Sequence, residues 1–391
     1  MRRLLLFLAL LLLLGGCAEQ ETSLGVELED GFELAYLDGE ITFVEDWFEP
    51  GETYTENYSE NSYSPYTRMA VWRNGLIYSM EDAYVEMMDG IGEIMSLCKD
   101  PLCDHTEETR CIVSFGGRNV IKAGTDFYFV YATTVYRYSQ ETLRTSVFAE
   151  FNMMVSSQFL MGRYLYFEIF GQVYVRVDLE SNTAMILEKD PMIAPYLYYP
   201  YEEMLYFYDA NTDQIFRCDT NMQNTQLLAK NVHSPCHTTW AFQLYGDKLY
   251  YVSVEYKLPV SESNRPYLCV LDLTTGETER YDGIYCFGIC GGTIFYQCYE
   301  PREGPLFFNQ KQKYVTTTLY TGNRIYRAPL DDIENQTLLT EVTGDNLRLD
   351  GYFLHATEDY LYVYISDFSN AELNLKLCRY NLTTGEWQAV E

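Results

Sequence analysis

An all-β fold is the class this sequence predicts, and three observations carry the prediction. A short aromatic strand recurs seven times: Leu76-Ile-Tyr78, Phe127-Tyr-Phe129, Leu165-Tyr-Phe167, Leu205-Tyr-Phe207, Leu249-Tyr-Tyr251, Ile294-Phe-Tyr296 and Leu361-Tyr-Val363. Five of the six spacings fall between roughly 38 and 50 residues, and the last is about 67 because of an insertion. A second strand follows in five units: Val135-Tyr-Arg137, Val175-Arg-Val-Asp178, Ile215-Phe-Arg-Cys-Asp219, Ile325-Tyr-Arg327 and Leu377-Cys-Arg-Tyr-Asn381. Thr-Thr-Gly-Glu then closes two of the units, at 274–277 and 383–386. The runs alternate with period two and are punctuated by Gly, Asn and Asp, which reads as strands and turns rather than helical repeats. Units of this period and composition are the mark of a β-propeller, whose blades bury both faces only by stacking on neighbours. The expected architecture is a single β-propeller of seven four-stranded blades over 68–391.

The N-terminus comes first in chain order and concerns location. Met1-Arg-Arg3 precedes the apolar run Leu4 to Leu14, followed by Gly15-Gly16-Cys17. A basic start, an apolar core and small residues before a cut site form a secretory signal, 1–16, too short to span a bilayer stably. Leu14-Gly15-Gly16-Cys17 resembles the lipobox of bacterial lipoproteins. That resemblance implies lipidation of Cys17, a new N-terminus there, and a lipid-anchored, extracytoplasmic protein at the cell membrane.

Residues 17–67 are expected to form a tether with an N-terminal hairpin. The stretch 18–30 is acidic and polar. Phe32–Leu37 and Glu40–Val44 flank Asp38-Gly39, a pair suited to a tight reversing turn. Residues 49–66 are polar, lack periodicity, and read as an irregular link into the ring.

Each blade is expected to begin with an inner strand, turn at Gly or Asp, and run out through the Leu-Tyr-Phe strand. A loop of variable length, the Tyr-Arg strand, a Thr-Gly-Glu turn and an outer strand follow. The variable loops, 80–92, 209–214, 253–266, 299–322 and 365–375, therefore share one face. The longest, 299–322, reads either as a lid or as a tolerated surface insertion.

Composition bounds the partners. The chain carries 57 acidic and 27 basic residues, a formal net charge of −30. Such a surface lacks the Lys and Arg that neutralise phosphates, which excludes nucleic acid as the expected partner. It disfavours docking on an anionic membrane face equally. Acidic turns keep a Tyr-rich β-protein soluble and blunt its edges. The 37 Tyr among 391 residues fall mostly on the repeating strands, where they pack between blades with the hydroxyl at a wet edge.

One motif is chemically dense. In the first blade, at the place assigned to the Thr-Gly-Glu turn, the chain reads Cys98-Lys-Asp-Pro-Leu-Cys103-Asp-His105-Thr-Glu-Glu-Thr-Arg-Cys111. Three thiols and an imidazole match a structural tetrahedral Zn²⁺ site in number and type, with no open coordination position for catalysis. A disulfide staple suits an exported protein as well, although three Cys leave one thiol over. The loop resembles the Cys-x-x-Pro-x-Cys-x-His run in the first blade of propeller-like lipoproteins of Firmicutes-like gut bacteria, many carrying a domain of unknown function. The resemblance covers most of 68–391 and implies a fold and a location. It implies no activity.

Other clusters carry less. His233-Ser-Pro-Cys236-His237 falls at a blade connection and lacks a fourth ligand in sequence. Cys286, Cys290 and Cys298 lie on a strand pair around Gly291-Gly292. Cys269 and Cys378 stand where other units have Tyr or Phe, so they read as small core residues. Asp209-Ala-Asn-Thr-Asp213 has Gln214 where a calcium loop requires Gly, and reads as a hairpin turn. Four His, no nucleophile elbow, no phosphate loop and no His-Glu-x-x-His point to binding rather than catalysis. The expected function is a non-enzymatic binding or scaffold module for a peptide, glycan or partner protein. The alternatives are a carbohydrate-active lyase or hydrolase on the same scaffold, and a structural assembly subunit.

Overall fold

The computed structural model describes strand residues 26–28, 35–37 and 40–42, parts of 69–98, and most of 118–390; among the described residues every regular element is a β-strand. Seven of the sheets are built on an antiparallel four-stranded meander, met in chain order. The fifth is the plainest case: Phe242–Tyr245, Lys248–Val254, Pro266–Asp272 and Thr278–Asp282 pair in sequence order. The same order holds for the sheets within 69–96, 118–151, 155–188, 197–230, 284–341 and 347–389. These are called the first to seventh sheets, and their strands the inner, second, third and outer strands.

All seven repeated anchors fall on second strands, and Leu76, Phe127, Leu165, Leu205, Leu249, Ile294 and Leu361 have no exposed surface. Alternation along each second strand sends successive side chains into different neighbours. Leu249 and Tyr251 pack into the core shared with the fourth sheet, while Tyr250 and Val252 pack into the core shared with the sixth. Equivalent cores join the second to the third, the third to the fourth, and the sixth to the seventh sheet. Among the described residues each of these cores joins sheets that are neighbours along the chain, a propeller-like succession.

Polar ties repeat the same linkage. Gln158, fully buried on the third inner strand, donates through Nε2 to Tyr128 O of the second sheet at 2.9 Å. Tyr166 Oη donates to Thr220 O of the fourth sheet at 2.6 Å. Asn323 Nδ2 donates to Leu347 O of the seventh sheet at 3.1 Å, and its Oδ1 accepts from Leu349 N–H at 3.2 Å.

The turn between third and outer strands has a local cause. The final residue of the third strand, or in the fourth sheet the residue just after it, supplies an acceptor that gathers the next backbone N–H groups. Asp272 Oδ1 accepts from Thr274 and Thr275 N–H at 2.8 and 2.9 Å; Asn381 Oδ1 accepts from Thr383 and Thr384 N–H at 2.9 and 2.8 Å. Gly276 and Gly385 follow at φ +76° and +74°, a conformation that costs Gly nothing. Asp178 caps Glu180 and Ser181 in the third sheet, and Asp219 caps Asn221 and Gln223 in the fourth.

N-terminal strands lie on outer edges. Val26–Leu28 pairs with the second sheet's outer strand, Val26 opposite Phe151 and Leu28 opposite Ala149. Glu40–Thr42 pairs with the third sheet's outer strand, and Ala35–Leu37 pairs with it in turn, Leu37 opposite Glu40. Part of the stretch read as tether thus covers strand edges that would otherwise offer open N–H and C=O groups. The 299–322 insertion contains a hairpin, Arg302–Phe308 with Tyr314–Leu319, rising from the sixth sheet.

The first sheet departs from the expected turn. In the first sheet the third strand is Tyr84–Met88 and the outer strand is Met95–Ser96. The connection between them is 89–94, so Cys98 follows the outer strand instead of replacing a Thr-Gly-Glu turn. Antiparallel strands reverse direction at each turn. The loops after second strands and the connections after outer strands therefore emerge at one end of the sheets, here called the loop face. The tight turns after inner and third strands emerge at the other, the turn face. Cys98 is therefore on the loop face, and the variable stretch 80–92 is divided between both faces by Tyr84–Met88.

Candidate binding site at the inner strands

Four neighbouring inner strands place Tyr199, Gln243, Gly288 and His355 at one register position. Each stands six residues before its sheet's anchor and pairs with the residue after that anchor: Tyr206, Tyr250, Phe295 and Tyr362. Tyr199, Gln243 and His355, with Leu244, Tyr245, Ile289 and Ala356, line a cleft of about 340 Å³, counting the part open to solvent. Its lining comes mostly from the ends of inner strands that lead into tight turns, which sets it toward the turn face.

Gly288 makes this convergence possible. A Cβ there would stand 2.7 Å from Leu354 Cδ2 and 3.1 Å from both Ala356 N and Leu354 O. Only a residue without Cβ lets the seventh inner strand approach this closely. Gln243 Oε1 accepts the Ile289 N–H at 2.8 Å, an inner-strand donor with no partner strand on that side. His355 is buried and stacks on its cross-strand neighbour Tyr362, rings 6.0 Å apart and 25° from parallel. Tyr245 leans over the next sheet's turn, where a Cβ on Gly292 would lie 3.4 Å from its hydroxyl. The arrangement offers phenol, amide and imidazole groups held by backbone pairing, a set suited to recognising a small polar group.

The residues singled out from sequence separate into three groups. Cys17, Cys103, His105, Cys111, His233, Cys236 and His237 lie outside the described residues. Cys98 is half-buried and forms no disulfide with another described cysteine. Cys286, Cys290 and Cys298 lie on the sixth sheet's first strand pair, with Cys290 opposite Thr293 across Gly291-Gly292. Cys269 and Cys378 are buried in cores, and burial pushes the Cys269 thiol up to about 11, against the hydrogen bond from Tyr251 that lowers it. Such a thiol is a packing residue, not a nucleophile. Asp209–Asp213 is a hairpin turn: Asp209 pairs with Gln214, Thr212 Oγ1 donates to Asp209 Oδ2 at 2.6 Å, and Tyr208 Oη donates to Asp213 Oδ1 at 2.6 Å. Among the described residues no cluster of three His, Cys, Asp or Glu is placed to hold a metal ion.

Gln243, Gly288 and His355 belong to no catalytic or metal-binding motif. The signal was present, however. The position six before each anchor reads Ala70, Ile121, Phe159, Tyr199, Gln243, Gly288 and His355, apolar in the first three sheets and polar or Gly afterwards.

The sheets and ties define an all-β, propeller-like repeat protein. No protein-family model matches the chain, and no curated protein matches it. Among solved structures it is similar in outline to a nidogen/laminin complex (8% identity, TM-score 0.38, 68% of this chain and 92% of that one). It is likewise similar to YCF48 bound to D1 peptide (12%, 0.41, 69% and 80%) and to the computationally designed Ika8 protein (8%, 0.43, 87% and 90%).

Proposed function

We propose that this protein is a lipid-anchored, extracytoplasmic binding module that takes one polar group of a peptide or protein partner in its inner-strand cleft. In this reading, acylated Cys17 holds the chain to the cell membrane, 1–16 is a removed signal, and 17–67 links the anchor to a ring of seven blades over 68–391. The observation that carries the binding reading is the convergence of Tyr199, Gln243 and His355 from one register position on three inner strands. The enclosed part of the cleft has room for about one water-sized group. That suits a side-chain amide, hydroxyl or chain end rather than a sugar ring, with most of the contact area supplied by the surface around it.

The test is binding to an immobilised peptide array beside a glycan array, using wild type and the Gln243→Leu/His355→Leu double variant. Peptide signal lost in the variant while the cooperative unfolding transition is retained, at a somewhat lower melting temperature because Ile289 N–H loses its acceptor, is the expected result. Turnover of any glycan, abolished by a single carboxylate substitution, would overturn it in favour of an enzyme.

A further inference from the structure

The anchor reading gains a geometry from the way the N-terminal strand docks. Val26 pairs with Phe151, the last residue of the second sheet's outer strand, and Leu28 pairs with Ala149. The chain therefore enters at the loop-face end of that sheet and runs toward its turn face. From Cys17 to Val26 there are nine backbone steps. A fully extended chain covers about 30 Å in that distance, and a relaxed one covers less.

Two exposed apolar side chains sit at the same corner. Tyr131 ends the second strand of this sheet and is 51% exposed; Met154 follows its outer strand and is 58% exposed. Backbone bonds bring their segments together: Phe151 N–H donates to Thr133 O at 2.9 Å and Val155 N–H to Ala132 O at 3.0 Å. The other large exposed apolar side chains among the described residues, Leu143, Leu227, Tyr245, Leu338 and Leu375, lie elsewhere on the sheets. A Tyr side chain suits the boundary between headgroups and acyl chains, and an exposed Met beside it adds apolar surface that burial in acyl chains removes from water.

Resting on acylation of Cys17, we infer that the protein stands with the loop-face corner of its second sheet against the lipid surface. Tyr131 and Met154 touch the bilayer, and the turn face with its Tyr199–Gln243–His355 cleft is directed away from it. The net charge of −30 supports a corner contact over a broad one, because an acidic face laid flat on an anionic leaflet is repelled. The partner at this corner is the membrane itself, and the cleft stays open to a partner arriving from the far side.

The experiment uses full-length acylated protein in phosphatidylcholine vesicles containing a trace of radiolabelled lipid. A benzophenone side chain is placed singly at Met154, at Leu338 on the sixth sheet's outer strand, and at Tyr245 on the turn face. Lipid adducts several-fold higher at Met154 than at the other two are expected. Lengthening the chain after Ser23 by about twenty Gly/Ser residues should erase the difference. Acyl label on Cys17 is measured in the same samples. Label present with equal adducts at all three sites overturns the orientation and leaves the anchor standing. Absence of label overturns both.

Discussion

The backbone N–H of Gly90 donates to Asp359 Oδ2 at 2.8 Å, joining positions 269 residues apart. Gly90 lies between the third and outer strands of the first sheet, and Asp359 in the tight turn between the inner and second strands of the seventh. Both are turn-face positions, as a ring that brings first and last blades together requires. Asp359 is itself fixed by Leu382 N–H donating to its carbonyl at 2.9 Å. Asp359→Ala removes one exposed, charge-assisted bond, so the global loss should be about 1 kcal/mol or less. The local effect should be larger: faster amide exchange in 69–96 and in the Thr357–Tyr360 turn, with the fourth and fifth sheets unchanged. Unchanged exchange in the first sheet would show that this bond does not hold the two ends of the chain together.

Among the described glycines, Gly288 is the one where an added methyl is most crowded. In Gly288→Ala the new methyl meets Leu354 Cδ2 at 2.7 Å, which the side chain relieves by rotating, and two backbone atoms at 3.1 Å, which have to shift. Overpacking of this kind costs about 1–3 kcal/mol. Moving the seventh inner strand also separates His355 from Gln243, so peptide binding at the cleft should fall along with stability. Denaturant midpoints compared with wild type check the first effect. A Gly288→Ala protein as stable as wild type would mean the two inner strands adjust freely.

Much of this fold could be read in the chain because the repeat is written in residues that pay no attention to distant context. Leu249-Tyr-Tyr places apolar side chains toward both neighbouring sheets, and Asp272 or Asn381 closes a turn by gathering N–H groups two and three residues further on. The failures are as specific. Cys98 reads as a turn residue in the sequence because Thr-Gly-Glu is missing from the first unit; the outer strand Met95–Ser96 instead precedes it, and Gly90, at φ +76°, lies between the third and outer strands. The cleft was hidden for a different reason. Gln243 and His355 are 112 residues apart in sequence, and only the closing of successive sheets around Gly288 brings their strands together.

The loop-face position of Cys98 changes what a metal there would do. Zn²⁺ held by Cys98, Cys103, His105 and Cys111 would order the connection leaving the first sheet, on the face that also bears the Arg302–Leu319 hairpin. Protein purified without oxidant should contain close to one Zn²⁺ per chain, His105→Ala should lose most of it, and chelation should lower the melting temperature. Binding at the turn-face cleft should survive. Substoichiometric metal together with a Cys–Cys crosslink among 98, 103 and 111 would establish the disulfide alternative.

The repeated turn also predicts a pH dependence with a definite sign. The backbone N–H groups of Thr275 and then Thr274 hold the Asp272 carboxyl below its ordinary value, the largest influences on it. A carboxyl whose folded value is depressed contributes stability that is fully present above its unfolded value, about 3.9, and is lost as pH falls through the folded value. Asp126 runs the other way. Burial raises it in spite of the Arg137 guanidinium at 2.5 Å, so its contribution is present at low pH and declines as pH rises through the folded value. Wild-type acid sensitivity mixes the two signs, and a substitution separates them. Asn381 makes the same pair of bonds with a neutral amide at the equivalent turn of the seventh sheet. Asp272→Asn should therefore keep the turn and lose its titration. Denaturant midpoints for wild type and Asp272→Asn, taken between pH 6 and pH 2, should converge as pH falls, with wild type ahead only at the upper end. A difference that is constant across the range would mean the carboxylate charge does nothing at this turn beyond what an amide does.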